Sequence, residues 1–275
     1  SLREAIRDAD ATGQFRTIRF DPLLSGRVIE ISSTLTVETQ SLRITGEGLD
    51  GISISGGNSN RIFNLNTATL SLDLLSLTDG AGAVFASDNE RLVLDRVVVN
   101  SCNTTIGTGG AIDVGGSLAI TNSTFLENSG FSGGAIFFNG STMAVVNSTF
   151  VGNFANTGTI GSGGAIDASG STATTIRHCT FVGNEAGLGG AISLGSGLTS
   201  LTSSLFAGNR STIGAPDVDG MPTVSSENAF AVPFSQLMTF GDYGGPTPVQ
   251  PLKPTATVKG TISHRPFPTT DQRGE

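Results

Sequence analysis

Apolar residues along this chain come in short β-type runs, such as Leu118 to Phe125 and Met143 to Phe150, closed off by glycines and asparagines. No helical period occurs inside these runs, which excludes all-helical repeats and predicts strands joined by tight corners. Upstream the same texture continues with looser punctuation, through Val28 to Ile31, Leu35 to Val37, Leu42 to Thr45, Ile52 to Ile54, Arg61 to Leu65 and Leu70 to Leu77. One segment differs. Leu2, Ala5, Ile6 and Ala9 fall on one face of a short helix, and the pattern predicts an N-terminal cap over 1–12.

The runs repeat in phase. Gly-Gly-Ala-Ile begins at Gly109, Gly133, Gly163 and Gly189, at spacings of 24, 30 and 26 residues. Phe-x-x-Asn recurs in step as Phe125/Asn128, Phe150/Asn153, Phe181/Asn184 and Phe206/Asn209, with Val99 to Cys102 a degenerate copy upstream. A unit of this length holding three short strands matches one coil of a parallel solenoid, each coil stacking on the next at ~4.8 Å. The sequence therefore predicts an all-β fold, a single-stranded right-handed parallel β-helix of the pectate-lyase-like kind with roughly eight coils over 13–212. Phe125, Phe150, Phe181 and Phe206 should stack inside it, and Asn128, Asn153, Asn184 and Asn209 should form a corner ladder whose amides bond from coil to coil. The Gly-Gly pairs supply a corner where positive φ is required and a Cβ would clash. An open coil invites edge-to-edge association, so both ends need cover. The tail over 213–275, which carries most of the prolines from Pro216 through Pro268, is expected to wrap irregularly over the far end.

Composition narrows the function more than the fold. Charged residues make up only 14% of the 275, the 38 glycines show no every-third-residue period, and disordered and collagen-like classes are excluded. A net charge of −8, with lysine only at Lys253 and Lys259, argues against nucleic-acid or anionic-membrane partners. No apolar stretch is long enough to span a bilayer. The chain opens at Ser1 on folded-looking sequence, which reads as a fragment whose targeting signal lies elsewhere.

Ser1-Leu2-Arg3-Glu4-Ala5-Ile6 resembles the entry motif of bacterial right-handed β-helix surface proteins, and the Gly-Gly-Ala-Ile and Phe-x-x-Asn pair is similar to the repeats of chlamydial polymorphic outer membrane proteins. Asp242-Tyr243-Gly244-Gly245-Pro246-Thr247-Pro248 and Asp271-Gln272-Arg273-Gly274 resemble the C-terminal region of the choice-of-anchor group. The resemblance implies an exported, extracellular or surface-attached domain with an adhesive or structural role, and it carries no catalytic residues.

Parallel β-helices also serve polysaccharide lyases and hydrolases, so the chain's chemistry must be weighed residue by residue. The predicted helix body has no lysine and a single histidine, His178, and shows neither the acidic cluster with a basic partner nor the Asp/His/Lys set such enzymes need. Its best carboxylate pair is Asp113 and Asp167, each directly after a Gly-Gly-Ala-Ile. Strand parity points both outward two coils apart, ~10 Å between backbones and near the upper limit for an inverting glycosidase. Phe137 fills the matching position between them, and Ser193 follows. That order favours solvated acids, or an acid–aromatic–acid patch that binds a glycan or protein, over a catalytic pair. Arg177 and His178 occupy strand positions equivalent to Thr121/Asn122 and Val146/Asn147, suited to a surface polar ladder or to binding. Asp217, Asp219 and Asp242 could hold Ca2+ with backbone carbonyls, although no D-x-D-x-D-G loop is present; no other cofactor or metal is suggested.

The sequence thus favours a non-enzymatic surface domain presenting a rigid sheet face to a glycan or protein, with a self-assembling homo-oligomeric or end-to-end polymeric subunit and a polysaccharide-active enzyme as alternatives. Two structural expectations follow from the register. The longer interval from Phe154 to Ser162 should leave the coil and wall a groove near Asp167. Cys102 and Cys179, three coils apart, should be free thiols, with Cys102 nearer a loop and more reactive.

Overall fold

In the computed structural model the protein is a right-handed parallel β-helix of about eight coils, described for residues 1–38, 41–49, 51–66, 68–104, 108–156, 160–243 and 247–257. One helix, Leu2–Asp10, begins at Ser1, whose hydroxyl accepts from the Glu4 N–H while the Glu4 carboxylate turns back to the Ser1 nitrogen. Ile6 and Ala9 are buried against the first coils, and the Arg3 guanidinium donates to the Thr34 carbonyl, so the helix closes that end of the core.

Each regular coil lays down three faces. The first is an eight-strand ladder: Leu35–Val37, Phe63–Leu65, Val84–Ala86, Ile112–Val114, Ile136–Phe138, Ile166–Ala168, Ile192–Leu194 and Val218–Asp219. The second is a long face bent at a left-handed residue. Thr69–Thr78 and Arg91–Asn100 run through this bend unbroken, with Leu74 and Arg96 at φ 54°; later coils split there, as in Ser117–Thr121 and Thr124–Leu126 around Asn122 at φ 51°. The third face is short, formed by Ser129–Gly130, Phe154–Ala155, Glu185–Ala186 and Arg210–Ser211. At the corner before the first face, Gly133, Gly163 and Gly189 have φ near +60°, and a Cβ on any of them would sit 2.1 Å from the carbonyl oxygen three residues on.

The interior is a set of columns. Phe125, Phe150, Phe181 and Phe206 are fully buried, with ring centroids 4.8–4.9 Å apart and planes within 7° of parallel. Phe230 adds a fifth ring, 4.9 Å beyond Phe206. At the corner, Asn153 Oδ1 accepts from the Asn128 backbone N–H and from its side-chain amide, and Asn184 and Asn209 repeat the pattern one coil at a time. Each amide also donates to the carbonyl of the Phe of the preceding coil, or to Val99 in the case of Asn128, which satisfies the polar groups of the turn without water.

The stack does not stop at residue 212. Val218–Asp219 and Val224–Ser226 pair with the preceding coil, and the Asp217 carboxylate ends the Asn ladder by accepting from Asn209 and from the Ala231 N–H. The described part of the tail beyond it, up to residue 257, lies along the flank of the rod. Leu237 and Leu252 pair antiparallel and pack with Val232 over Val151, Val182, Leu205 and Ala207, while Thr247 donates to the Asn122 carbonyl and Thr124 donates to that of Pro248. The cause is apolar surface: the outward positions of those coils carry Val and Ala, which need cover.

Two further expectations are corrected. Phe154 and Ala155 stay in the stack as a strand paired with Ser129 and Gly130, and Ser162 bridges to Leu188, because their backbone groups complete the ladder; residues 157–159 lie outside the described residues. Cys102 is not a loop thiol. It is wholly buried, with its N–H donated to Asn128 Oδ1, and burial pushes its thiol up to about 12; Cys179 is likewise buried and pushed up to about 12. Both are free.

Candidate binding face

The eight-strand ladder brings the outward acids and aromatics into one line. Pairing is residue to residue from Asn64 to Phe85, Asp113, Phe137, Asp167, Ser193 and Asp219. Successive members stand about 4.8 Å apart, which places the Asp113 and Asp167 backbones about 10 Å from one another with the Phe137 ring between them.

The two acids differ in environment. Asp113 is partly exposed, and its Oδ2 accepts from the Thr108 hydroxyl at 2.5 Å. Asp167 was expected to stand out in solvent, yet it is only 3% exposed. Its Oδ1 accepts from the Ser169 N–H at 2.9 Å, and burial raises its carboxyl above the usual range despite hydrogen bonds from Ser169 and Ser132. Outward parity is a property of the strand, whereas burial is decided by what neighbouring corners lay over it. Ser193 is buried as well, so the accessible part of the line is centred on Phe85, Asp113 and Phe137.

Arg61, one coil before Phe85, also belongs to this face. It aligns with Gly82, and its chain runs over that glycine, where a Cβ would meet Nε at 3.3 Å. Its guanidinium carbon lies 5.0 Å from the centre of the Phe85 ring. Sequence reading overlooked Arg61, Phe85 and Asn64 because the repeat motif is degenerate in these coils; the strand run Arg61 to Leu65 was the available signal.

Arg177 and His178 are not brought to this line. They sit at the bend of the long face, where His178 takes the left-handed position (φ 54°) held by Asn122 and Asn147 in earlier coils. That seam is a polar ladder: Asn147 donates to Asn122, Asn122 and Thr121 donate to Asp95, and Arg96 bridges Asp95 to the buried Asp73, which Arg43 also contacts. Nor do Asp217, Asp219 and Asp242 gather around a metal. Asp217 uses both oxygens on protein donors, Asp219 lies in the ladder, and among the described residues no group of three or more His, Cys, Asp or Glu side chains converges.

A shallow groove of about 600 Å³ lies on the adjacent stretch of the long face; its floor is small, with Ala119, Ala144, Thr175 and Ser200 in line. It lacks the ionisable and aromatic groups of the neighbouring line, apart from Arg91 at its edge.

No protein-family model matches the chain, and comparison with curated proteins and with solved structures finds no match. Fold and site geometry therefore define the class, a parallel β-helix; among the described residues no helix is long and apolar enough to cross a membrane.

Proposed function

We propose that the protein is a non-enzymatic binding scaffold, an exported or surface-attached β-helix that presents the Phe85–Asp113–Phe137 line to a glycan. The observation that carries this reading is the alternation of acid and aromatic at one-coil spacing on a rigid ladder. An aromatic edge or face receives the C–H surface of a sugar, and a carboxylate accepts its hydroxyls. The same spacing speaks against a hydrolase: Phe137 fills the space between the acids, and the Asp167 carboxyl is covered. Export and surface attachment rest on the resemblance of the entry and repeat motifs to surface β-helix proteins. A glycan array probed with the wild-type protein and with Phe137→Ala tests the proposal. Binding to a restricted set of glycans that Phe137→Ala abolishes is the expected result, and an array with no signal refutes it.

A second reading, end-to-end assembly of copies, draws on the exposed Phe15, Leu23 and Val28 around the first coil and Met221, Val224 and Phe230 around the last described one. Sedimentation velocity across a range of concentrations tests it: a concentration-dependent series of larger species supports assembly, and a single monomeric boundary excludes it.

A further inference from the structure

The polar accounting of the binding face fails at one residue. Arg19, Arg43 and Arg96 each contact a carboxylate. Arg61 instead has a buried Nε with no hydrogen-bond partner, and among the described residues its guanidinium makes only the ring contact with Phe85. Burying Nε unmet is costly, and the outer nitrogens of this half-buried guanidinium, which have no carboxylate partner, are the atoms that an outside partner would reach. Asp113 is close enough to act on Arg61 electrostatically, yet the two do not form an ion pair, since Asp113 is held by Thr108.

We propose that Arg61 is the oxyanion subsite of this face, gripping a carboxylate or sulfate group of a glycan whose sugar rings run over Asp113 and Phe137. The inference rests on the glycan-binding reading above and adds the ligand's charge. Three features carry it. The planar guanidinium presents paired N–H donors that match a carboxylate or sulfate. Phe85 and the backbone of Gly82 fix its plane, so little side-chain freedom is lost on binding. Among the described residues Asp113 accepts one hydrogen bond, on Oδ2, which leaves Oδ1 for a sugar hydroxyl one coil beyond the Phe85 ring that the Arg61 guanidinium covers. The net charge of −8 works against indiscriminate adsorption of polyanions, so any such binding reports a local site.

The test is calorimetric titration of the whole chain with alginate oligosaccharides, which carry carboxylates, dextran sulfate oligosaccharides, which carry sulfates, and neutral dextran oligosaccharides of matched length. Tighter binding of one charged series than of dextran is expected, and the series that wins identifies the oxyanion. Arg61→Gln should weaken that binding about tenfold or more, with Arg61→Lys intermediate. Thermal stability supplies an independent readout: Arg61→Met replaces the unmet buried donor with an apolar chain and should leave the melting temperature unchanged or raised, whereas a structural arginine would lower it. Equal affinity for charged and neutral glycans, or wild-type binding by Arg61→Gln, overturns the oxyanion subsite and leaves the glycan reading standing. Absence of binding to all three series overturns the oxyanion subsite, and a glycan array without signal overturns the glycan reading beneath it.

Discussion

Replacing Asn153 by Ala attacks the corner ladder at its centre. The side chain accepts from the Asn128 N–H at 3.1 Å and from the Asn128 amide at 3.0 Å, and donates to the Phe125 carbonyl at 3.1 Å and to Asn184 Oδ1 at 2.9 Å. Asn128 and Asn153 are both 0% exposed, so water cannot take over. The Asn128 backbone N–H is orphaned outright, at about 1–3 kcal/mol, and three further partners are each weakened, so Asn153→Ala should destabilise by about 3–5 kcal/mol. Asn153→Asp keeps an acceptor but turns an oxygen toward the Phe125 carbonyl and Asn184 Oδ1, so at pH 7 it should cost at least as much. Urea unfolding followed by far-UV circular dichroism reads the midpoint, and hydrogen exchange of the amides of the flanking coils shows whether the loss stays local, since solenoid coils need not unfold in one step. A cost for Asn153→Ala below about 1 kcal/mol would refute the claim that the amide ladder holds the coils in register.

Three further outcomes follow. Thiol reagent should find no reactive group in the native protein and two after unfolding; because both thiols are raised to about 12 in the folded state, stability is full below the unfolded thiol pKa and falls as pH climbs from about 9 toward 12, which pH-dependent melting would show. Asp167 is also raised by burial, so its ionisation opposes folding: the stability tied to its protonated form is present at acid pH and is lost as pH rises through its folded pKa. Asp167→Asn should therefore match or exceed wild-type stability at pH 7 and lose that pH dependence. Gly208→Ala should cost clearly more than Gly183→Ala by thermal melting, since both sites have φ near +60° but only at Gly208 would the new Cβ meet the Phe234 ring, at 2.1 Å; adding Phe234→Ala should remove the difference.

Strong periodicity made the fold legible. Phe125, Phe150, Phe181 and Phe206 pair in the anticipated register, and Leu35–Val37 and Leu42–Thr45 have the anticipated bounds. Phe230 carries no motif signal because Pro233 stands where the motif has Asn, so the last coil looks like tail in sequence. The left-handed column through Leu74, Arg96, Asn122, Asn147, His178, Ser203 and Glu227 was invisible because its residue types vary while only the backbone angle is shared. The acid–aromatic line itself was predictable from parity, but the burial of Asp167 and the placement of Arg61 depend on corners and on a neighbouring coil's side chain, which no spacing encodes. Cys102 shows the same limit. Its register position follows from the repeat, whereas its burial does not: the thiol donates to the Asn100 carbonyl and is sealed inside the core.

The central claim is that the ladder face, and not the neighbouring groove, meets the ligand. Affinity of a glycan found on the array, measured for wild type, for Phe137→Ala and for Ala144→Arg, which fills the groove floor, decides between the two faces. Phe137→Ala is expected to abolish binding while Ala144→Arg retains it. Binding lost in Ala144→Arg and kept in Phe137→Ala would contradict that claim.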